Sequence, residues 1–455
     1  MRVYRFMQWL LRTATRVFFR RIEVVGLENI PESDEGAVIF CGNHPNSLLD
    51  PVLITAYCGR IVHFAAKDTL FRSRILRFLL NLMGAVPIRR RVDHKKGTLS
   101  NTDAFASLHT VLGMSRAIGI FPEGLSHDNS QLAPLKTGAA RIAVGAKRDH
   151  PGTRVFLIPA GLCYFRRSRF RSSVLIQFGA PYEVTSDAVE DPDERGRVKS
   201  LTEKIDTHLR SLTINAASWE TIWVLDGVRR LYQPEGISLE ERVELSRRFN
   251  RVYPDVADEK PVRQLYDRVR AYLIRLSAAG LSDDVLRREV SIRDALLRIV
   301  GHTILLLGAL PLAIIGAPIH LPLLFLFKIT GTYFAPRKDV VATTKFLVGF
   351  LTIILVYLVL IAVAIWKLNI FWGLLVAILF PLSGRSVLHV ISRADALRNI
   401  FLTSFRIFQF RREVAALRTE RSALVSAVNA AVDRYRPEDM EPLFSKEERN
   451  VGEEE

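Results

Sequence analysis

Residues 37–51 read AVIFCGNHPNSLLDP, a strand-forming apolar run that stops at Gly42 and continues into a polar turn. From residue 36 to about residue 184, short apolar runs alternate with stretches of helical periodicity. This is the pattern of strands and helices that alternate in a largely parallel sheet. We predict strands at residues 37–41, 61–65, 117–121, 155–161 and 174–178, and helices at residues 72–83, 98–112 and 137–146.

A histidine and a carboxylate follow the first predicted strand. Pro45 suits the first position of a helix, where no N–H is needed, so we expect His44 at the helix entrance and Asp50 inside the helix. A carboxylate that contacts an imidazole fixes its tautomer and stabilises the imidazolium form. The pair is therefore a candidate general base for a hydroxyl acceptor, since motifs at strand ends of an α/β sheet lie where ligands usually bind.

A basic segment lies about forty residues further on. Residues 84–91 read GAVPIRRR, and arginine is the side chain best suited to hold a phosphate through two hydrogen bonds. Arg89 and Arg90 are candidate phosphate ligands, while a solvated run of charges is the alternative.

Two more segments carry candidate binding residues. Residues 119–124 read GIFPEG, where Glu123 is placed to accept hydrogen bonds from hydroxyl groups and Gly124 lets a backbone approach closely. The alternative for this segment is an ordinary turn with an exposed acid. Lys136 opens a predicted helix, and helix N-termini favour anions, although a lone lysine on its own indicates little.

The order of these segments resembles a known family. Residues 43–50, 84–90, 121–124 and 157–161 resemble the four blocks of the glycerolipid acyltransferase superfamily. Three details resemble its fungal glycerol-3-phosphate/dihydroxyacetone-phosphate branch: the five residues between His44 and Asp50, FPEGLSHD at residues 121–128, and GLCYFRRSRFR at residues 161–171. Residues 213–232 and 239–249 look like the segment that follows the catalytic domain in that branch.

The resemblance implies a mechanism and a set of site residues. His44 would take the proton of a glycerol hydroxyl, Asp50 would orient His44, and the alkoxide would attack a fatty acyl thioester. Many lysophosphatidate enzymes have Thr-Arg where this chain has Leu125 and Ser126, which shifts phosphate binding to other cations. The substrate pocket would be formed by Asn43, Ser47, Arg89, Arg90, Glu123, Gly124 and Lys136. No metal or cofactor is implied, and acyl-CoA or acyl-ACP serves as co-substrate.

Three functions are compatible with these residues. The first is a membrane acyltransferase that moves an acyl group to the sn-1 hydroxyl of glycerol-3-phosphate or dihydroxyacetone phosphate. The second acylates 1-acylglycerol-3-phosphate or another lysolipid. The third is a non-catalytic lipid-binding or scaffold protein, which the intact His44, Asp50 and FPEG disfavour. The net charge of +16 also suits nucleic acid, but the arginines lie among apolar segments without aromatic stacking platforms, so we expect no nucleic-acid partner.

The composition also predicts a membrane protein, because 49% of the 455 residues are hydrophobic. Residues 346–366 form a charge-free run of 21 residues, long enough to span a bilayer, and residues 368–384 would return as the second half of a hairpin. Residues 299–327 contain three prolines and form either one long kinked helix or a re-entrant hairpin. Basic residues on both sides of this stretch favour the re-entrant form and a multi-pass protein with its catalytic domain on the cytoplasmic side.

The remaining boundaries follow from composition. Residues 1–24 form a basic amphipathic helix, either interfacial, which we favour, or docked on the domain. The acyltransferase domain covers residues 25–185 and an auxiliary helical region covers residues 186–298, with the membrane region at residues 299–384. A long basic helix follows at residues 385–436, and residues 437–455 are expected to be an acidic, disordered tail.

Overall fold

The computed structural model describes residues 2–89, 101–185, 193–287, 292–335, 337–445 and 447–448. The chain divides into two compact units. The first unit comprises Met1–Trp219, Arg242–Arg247 and Ala335–Phe346, and the second comprises Glu220–Glu241, Arg248–Phe334 and Leu347–Glu455. A short segment from late in the chain therefore belongs to the N-terminal fold.

The first unit contains one mostly parallel sheet. Its strands are β1 Arg21–Val25, β2 Ala37–Gly42, β3 Val62–Lys67, β4 Val86–Ile88, β5 Ala117–Ile120, β6 Val155–Tyr164, β7 Ser173–Phe178 and β8 Tyr182–Glu183. The strand order is β1-β7-β6-β2-β5-β3-β4, and β8 pairs with β6. Strands β7 and β8 run antiparallel to β6, whereas the other pairs are parallel. The predicted α/β class is confirmed, and the five predicted strands match β2, β3, β5, β6 and β7 within two or three residues at each end.

Helices cover the sheet. The helices of this unit are α1 Arg2–Phe18, α2 Leu49–Tyr57, α3 Arg74–Leu82, α4 Thr102–Gly113, α5 Gly138–Asp149 and α6 Glu194–Leu212. Ile39, Ile118 and Leu157 form a buried core with residues of α4, α5 and α6. The alternate residues Val38 and Phe40 are buried as well, as expected for a sheet whose central strands are covered on both faces.

One predicted helix start is wrong. Helix α2 begins at Leu49, not at Pro45, which lies in the preceding turn. The backbone of Ser47 has a φ of 51°, a left-handed conformation that interrupts a helix. A local hydrogen bond holds the turn instead, because the backbone N–H of Asn46 donates to Asp50 Oδ2 at 2.7 Å.

Helix α1 packs along α2. The Arg12 guanidinium donates to the carbonyl of Ala56 at 2.7 and 2.9 Å, and Gln8 donates to the carbonyls of Thr55 and Arg60. The side chains of Phe6 and Trp9 remain exposed and stack on one another. The helix therefore has one docked face and one exposed aromatic face.

The described part of the second unit is helical. Its helices are α7 Trp219–Tyr232, α8 Leu239–Val256, α9 Lys260–Ala278, α10 Asp283–Arg287, α11 Ile292–Tyr333, α12 Val341–Lys367, α13 Ile370–Gln409 and α14 Arg411–Tyr435. The first residue of α7, residues 242–247 within α8 and the first six residues of α12 belong to the first unit. A buried network joins three of them: the Tyr272 hydroxyl donates to Asp283 Oδ1 at 2.7 Å, and Arg421 Nε donates to the same oxygen at 3.1 Å. The auxiliary region is thus an all-helical layer with its own polar core.

Three helices within the described residues, α11, α12 and α13, are long and apolar enough to cross a membrane. The re-entrant hairpin favoured for residues 299–327 is wrong, because α11 runs unbroken through Pro311, Pro318 and Pro322. Neighbouring helices and local adjustments satisfy the backbone groups that proline frees in apolar helices.

Two boundaries near the C-terminus also differ from expectation. No helix end lies at residue 384, since α13 continues to Gln409 and the next helix begins at Arg411. The start of the predicted disordered tail is packed: Phe444 is buried, and the Arg248 guanidinium donates to the carbonyl of Glu441 at 2.5 Å. Residues 446 and 449–455 of that tail lie outside the described residues.

Candidate active site

The site lies at the carboxyl edge of the parallel strands. His44 follows β2, Glu123 follows β5 and Arg89 follows β4. Strands β2 and β5 are direct neighbours, and β3 separates β5 from β4. The predicted motifs therefore meet at one edge of the sheet, the usual place for ligands in α/β proteins.

His44 and Asp50 are in direct contact. His44 Nδ1 lies 2.8 Å from Asp50 Oδ2. The Asp50 carboxylate is fully buried and accepts two further hydrogen bonds, from the Asn46 N–H to Oδ2 and from the Tyr164 hydroxyl to Oδ1 at 2.6 Å. A carboxylate surrounded by donors makes Nδ1 of His44 the protonated nitrogen and leaves the lone pair on Nε2.

An aromatic ring fixes the plane of His44. The imidazole stacks on Phe121 with ring centroids 4.1 Å apart and an interplanar angle of 10°, and Phe121 stacks in turn on Phe64. The side chain of His44 keeps 18% of its surface exposed. A partly exposed imidazole that is oriented by a carboxylate is the arrangement that general-base catalysis requires.

Asn43 and Ser47 frame the pair. The side-chain amide of Asn43 donates to the carbonyl of Leu162 at 3.1 Å and accepts from its N–H at 2.7 Å. These two bonds fasten the exit of β2 to the neighbouring strand β6. Ser47 lies at the strained position of the turn, in the short stretch between His44 and Asp50.

Glu123 joins the FPEG segment to the histidine turn. Its Oε1 accepts the backbone N–H of His44 at 2.7 Å, and its Oε2 accepts the N–H of Ala133 at 2.8 Å and the Nε2–H of His127. Burial opposes the charged form, but the bonds from His127, Ala133 and His44 outweigh it and lower the pKa of Glu123. The carboxylate is thus a buried anion that holds three parts of the site together.

Gly124 and Lys136 are neighbours. Gly124 has a φ of 75°, and a Cβ atom at this position would lie 2.6 Å from Lys136 Nζ. Lys136 also donates its backbone N–H to the carbonyl of Pro122 at 2.8 Å, just before α5 begins. The ammonium group therefore lies beside the FPEG turn, near the N-terminus of a helix, where an anion is stabilised.

Arg89 is at the far side of the same edge. Two hydrogen bonds of 3.0 Å join the backbone of Arg89 to the side chain of Asn101. Arg89 is exposed. Strand β4 lies three strand spacings from β2, which is a distance of about 14 Å across the sheet. The second predicted arginine, Arg90, lies outside the described residues.

Sequence reasoning missed two residues that belong to this site. Tyr164, at the end of β6, contacts Asp50 directly, and Arg167 pairs with Asp128 at 2.6 Å and donates to the carbonyl of His127. Both lie in the segment GLCYFRRSRFR. That segment resembles the fungal branch of the family, but its sequence did not indicate that it would lie next to His44. The antiparallel return of the chain after β6 places it there.

Two family models match parts of this chain. A family model described as Acyltransferase matches residues 5–162, and a second, described as Glycerol-3-phosphate acyltransferase 2 C-terminal domain, matches residues 224–440. Together they cover both the sheet that carries His44 and most of the helical region after it.

Two relatives from Saccharomyces cerevisiae are similar over long stretches. Glycerol-3-phosphate O-acyltransferase 2 is 25% identical over 418 residues, which cover 67% of this chain and 56% of the relative. Glycerol-3-phosphate O-acyltransferase 1 is 31% identical over 258 residues, which cover 52% of this chain and 34% of the relative. This chain therefore spans only part of the length of either.

One solved structure is also similar. The 1-acyl-sn-glycerophosphate acyltransferase PlsC of Thermotoga maritima aligns with a TM-score of 0.34 and 20% identity, covering 46% of this chain and 80% of that structure.

Proposed function

Since this chain belongs to the glycerolipid acyltransferase superfamily, we propose that it is an O-acyltransferase that acylates the sn-1 hydroxyl of glycerol-3-phosphate or dihydroxyacetone phosphate. The observation that carries the proposal is the pair of His44 and Asp50, with Nδ1 of His44 bound to the carboxylate and the imidazole partly exposed. A non-catalytic scaffold does not require an oriented, accessible base of this kind.

The reaction is a single acyl transfer. Nε2 of His44 removes the proton of the acceptor hydroxyl as its oxygen attacks the carbonyl carbon of a fatty acyl thioester. The carbon–sulfur bond then breaks, and the thiolate leaves with the proton that His44 had taken. Asp50 stabilises the imidazolium between these two steps. Acyl-CoA or acyl-ACP is the donor, and the residues named here require no metal or other cofactor.

The acceptor's phosphate would bind to the cations at this edge of the sheet. Lys136, beside Gly124, and Arg89, after β4, are the described candidates, and Arg90 is the third. This chain has Ser126 where many lysophosphatidate enzymes have an arginine. We therefore assign phosphate binding to Lys136, Arg89 and Arg90. Asn43, Ser47 and Glu123 complete the pocket by holding the turn and the FPEG segment in place.

First acylation is favoured over second acylation by the C-terminal match. Residues 224–440 match the family model described as Glycerol-3-phosphate acyltransferase 2 C-terminal domain, and the two Saccharomyces cerevisiae relatives described above carry glycerol-3-phosphate in their names. Acylation of 1-acylglycerol-3-phosphate or another lysolipid is the alternative outcome of the test below.

The membrane placement belongs to the same proposal. We infer a multi-pass membrane protein in which α11, α12 and α13 supply the apolar segments, the exposed Phe6 and Trp9 of α1 enter the bilayer surface, and the catalytic domain lies on the cytoplasmic side. Lys338 lies in the segment that belongs to the first unit, so labelling of a cysteine at this position reports the side of the catalytic domain. Labelling from outside the cytoplasm would contradict the proposed orientation.

A direct assay tests the function. Purified protein in lipid is supplied with radiolabelled glycerol-3-phosphate, dihydroxyacetone phosphate or lysophosphatidate, each with acyl-CoA or acyl-ACP, and the lipid product is identified. We expect a 1-acyl product from glycerol-3-phosphate or dihydroxyacetone phosphate, and none from His44→Ala. A product only from lysophosphatidate would establish second acylation, and a fully active, folded His44→Ala protein would exclude the mechanism.

A further inference from the structure

The first turn of α12 lies against the turn that carries the catalytic pair. Thr343 Oγ1 accepts the backbone N–H of Leu49 at 3.1 Å and donates to the carbonyl of Asn46 at 2.6 Å. The side chain of Thr343 is 3% exposed. One buried hydroxyl thus binds both ends of the short stretch between Asn46 and Leu49, although it comes from nearly 300 residues further along the chain.

These two backbone groups determine where the Asp50 carboxylate lies. Asn46 donates its own N–H to Asp50 Oδ2, the oxygen that also contacts His44. Leu49 immediately precedes Asp50 and begins α2. Between them lies Ser47 with its left-handed backbone, a conformation that persists only where surrounding contacts hold it.

A second contact holds the same segment in place. The buried Asp339 carboxylate accepts the hydroxyl of Ser126 at 2.6 Å and the guanidinium of Arg337 at 2.8 Å. Ser126 follows the FPEG segment. Residues 337–343 therefore touch both loops of the candidate active site, one through Ser126 and the other through the histidine turn.

We propose that Thr343 is a positioning residue for the His44 and Asp50 pair, so that the beginning of a membrane-spanning helix helps to set the geometry of the general base. This inference rests on the proposed function for its effect on turnover. Thr343 touches no reacting atom. It acts through the Asn46 and Leu49 backbone, which fixes the carboxylate that orients the imidazole.

The test removes the hydroxyl with little change of shape. Thr343→Val keeps the branched side chain but neither donates nor accepts, Thr343→Ala removes the hydroxyl without added bulk, and Thr343→Ser keeps the hydroxyl. Lys345→Gln is the matched control, since Lys345 comes from the same turn but donates to Ser168, away from the catalytic pair.

The kinetic expectation is a change in turnover without a change in binding. We expect kcat to fall about tenfold in Thr343→Val and Thr343→Ala, as for the loss of one buried hydrogen-bonding group, while KM for acceptor and donor stays within about twofold. Thr343→Ser and Lys345→Gln should retain wild-type values.

A second measurement does not depend on acyl transfer. The rate of modification of His44 by diethyl pyrocarbonate at one fixed pH, read by mass spectrometry of its peptide, should fall in Thr343→Val and Thr343→Ala, because a displaced Asp50 carboxylate no longer orients the ring, and should stay unchanged in the other two variants. If wild-type protein acylates no acceptor, the proposed function fails, yet this rate still decides the positioning role. An unchanged rate in either folded variant that lacks the hydroxyl overturns it.

Discussion

The backbone N–H of His44 donates a hydrogen bond to Glu123 Oε1 at 2.7 Å. This bond joins two sequence segments 79 residues apart and fixes the histidine from its main chain, while Asp50 fixes it from its ring. Three protein donors bind the Glu123 carboxylate, so a hydroxyl of the proposed acceptor would have to share it with them. The glutamate of the FPEG segment therefore supports the turn that carries His44, the proposed general base.

Glu123→Gln should destabilise the protein in a pH-dependent manner. The pKa of Glu123 is lowered in the folded protein, so its contribution is present above the ordinary carboxyl pKa and is lost as the pH falls through the lowered value. The amide weakens charge-assisted bonds of a buried acceptor, at a cost of about 1.5–3 kcal/mol near neutral pH. Thermal unfolding in detergent should show a lower unfolding temperature for the variant than for wild type, and this difference should become smaller below about pH 4.5.

Glu28→Gln is the control for that experiment, because Glu28 is exposed in a short surface turn. Its unfolding temperature should stay within one or two degrees of wild type at each pH. If the difference in unfolding temperature between wild type and Glu123→Gln stays constant from pH 7 to pH 3, the charge of Glu123 does not have the proposed role.

Tyr164→Phe should lower turnover moderately. The hydroxyl donates to Asp50 Oδ1 at 2.6 Å, and its loss leaves that buried oxygen with one donor fewer. We expect a loss of about 1 kcal/mol in stability and a fall in kcat of about 2- to 10-fold, with little change in KM. Steady-state kinetics with both substrates varied provide the measurement.

Tyr182→Phe is matched to this variant, since the Tyr182 hydroxyl bonds to the exposed Lys204 ammonium instead of a catalytic group. It should leave kcat unchanged. Equal losses in the two variants would mean that Tyr164 supports the fold only.

Five strands of the sheet and the place of the motifs at strand ends could be predicted from sequence because both depend on local patterns. Residues 37–41 and 117–121 are apolar runs bounded by glycine and proline, and parallel strands bring their carboxyl ends to one edge. His44 and Glu123 meet for that reason. The start of α2 could not be predicted in the same way, since the bonds of Asp50 to Asn46 and Tyr164 outweigh the local preference of Pro45 for a helix N-terminus.

The contact of Thr343 with the histidine turn could not be predicted at all. It joins residues 294 and 297 positions apart, and neither hydropathy nor periodicity encodes such a separation. The hydropathy of residues 299–327 identified an apolar segment but misjudged its shape, because prolines that break a helix in water are tolerated between apolar helices. Composition thus determined which residues prefer the membrane, and packing determined how they fold.

Asp50→Asn should abolish most of the activity while preserving the fold. The amide cannot stabilise an imidazolium and presents a donor to a site already filled with donors from Asn46 and Tyr164. We expect kcat to fall by about 10²-fold or more, within the range that general-base catalysis contributes. The comparison variant is Asp149→Asn, whose carboxylate bonds His109 Nδ1 at 2.7 Å in another part of the sheet domain; it should retain activity within about twofold, and an equal loss there would indicate a general effect of His–Asp pairs on stability.

Gly124→Ala should weaken acceptor binding through Lys136. The φ of 75° at Gly124 disfavours any L side chain, and the added methyl would lie 2.6 Å from Lys136 Nζ, so the ammonium has to move away from the FPEG turn. If Lys136 contacts the acceptor's phosphate, KM for glycerol-3-phosphate should rise by about tenfold or more while KM for the acyl donor changes little, since a hydrogen bond to a charged group contributes about 1.5–3 kcal/mol.

Gly152→Ala is the control, because nothing lies within 4 Å of a Cβ at that position. Lys136→Ala should reproduce the rise in KM, and the double variant should show no further increase, since both changes remove the same contact; additive effects would mean that Gly124 acts on the acceptor by another route.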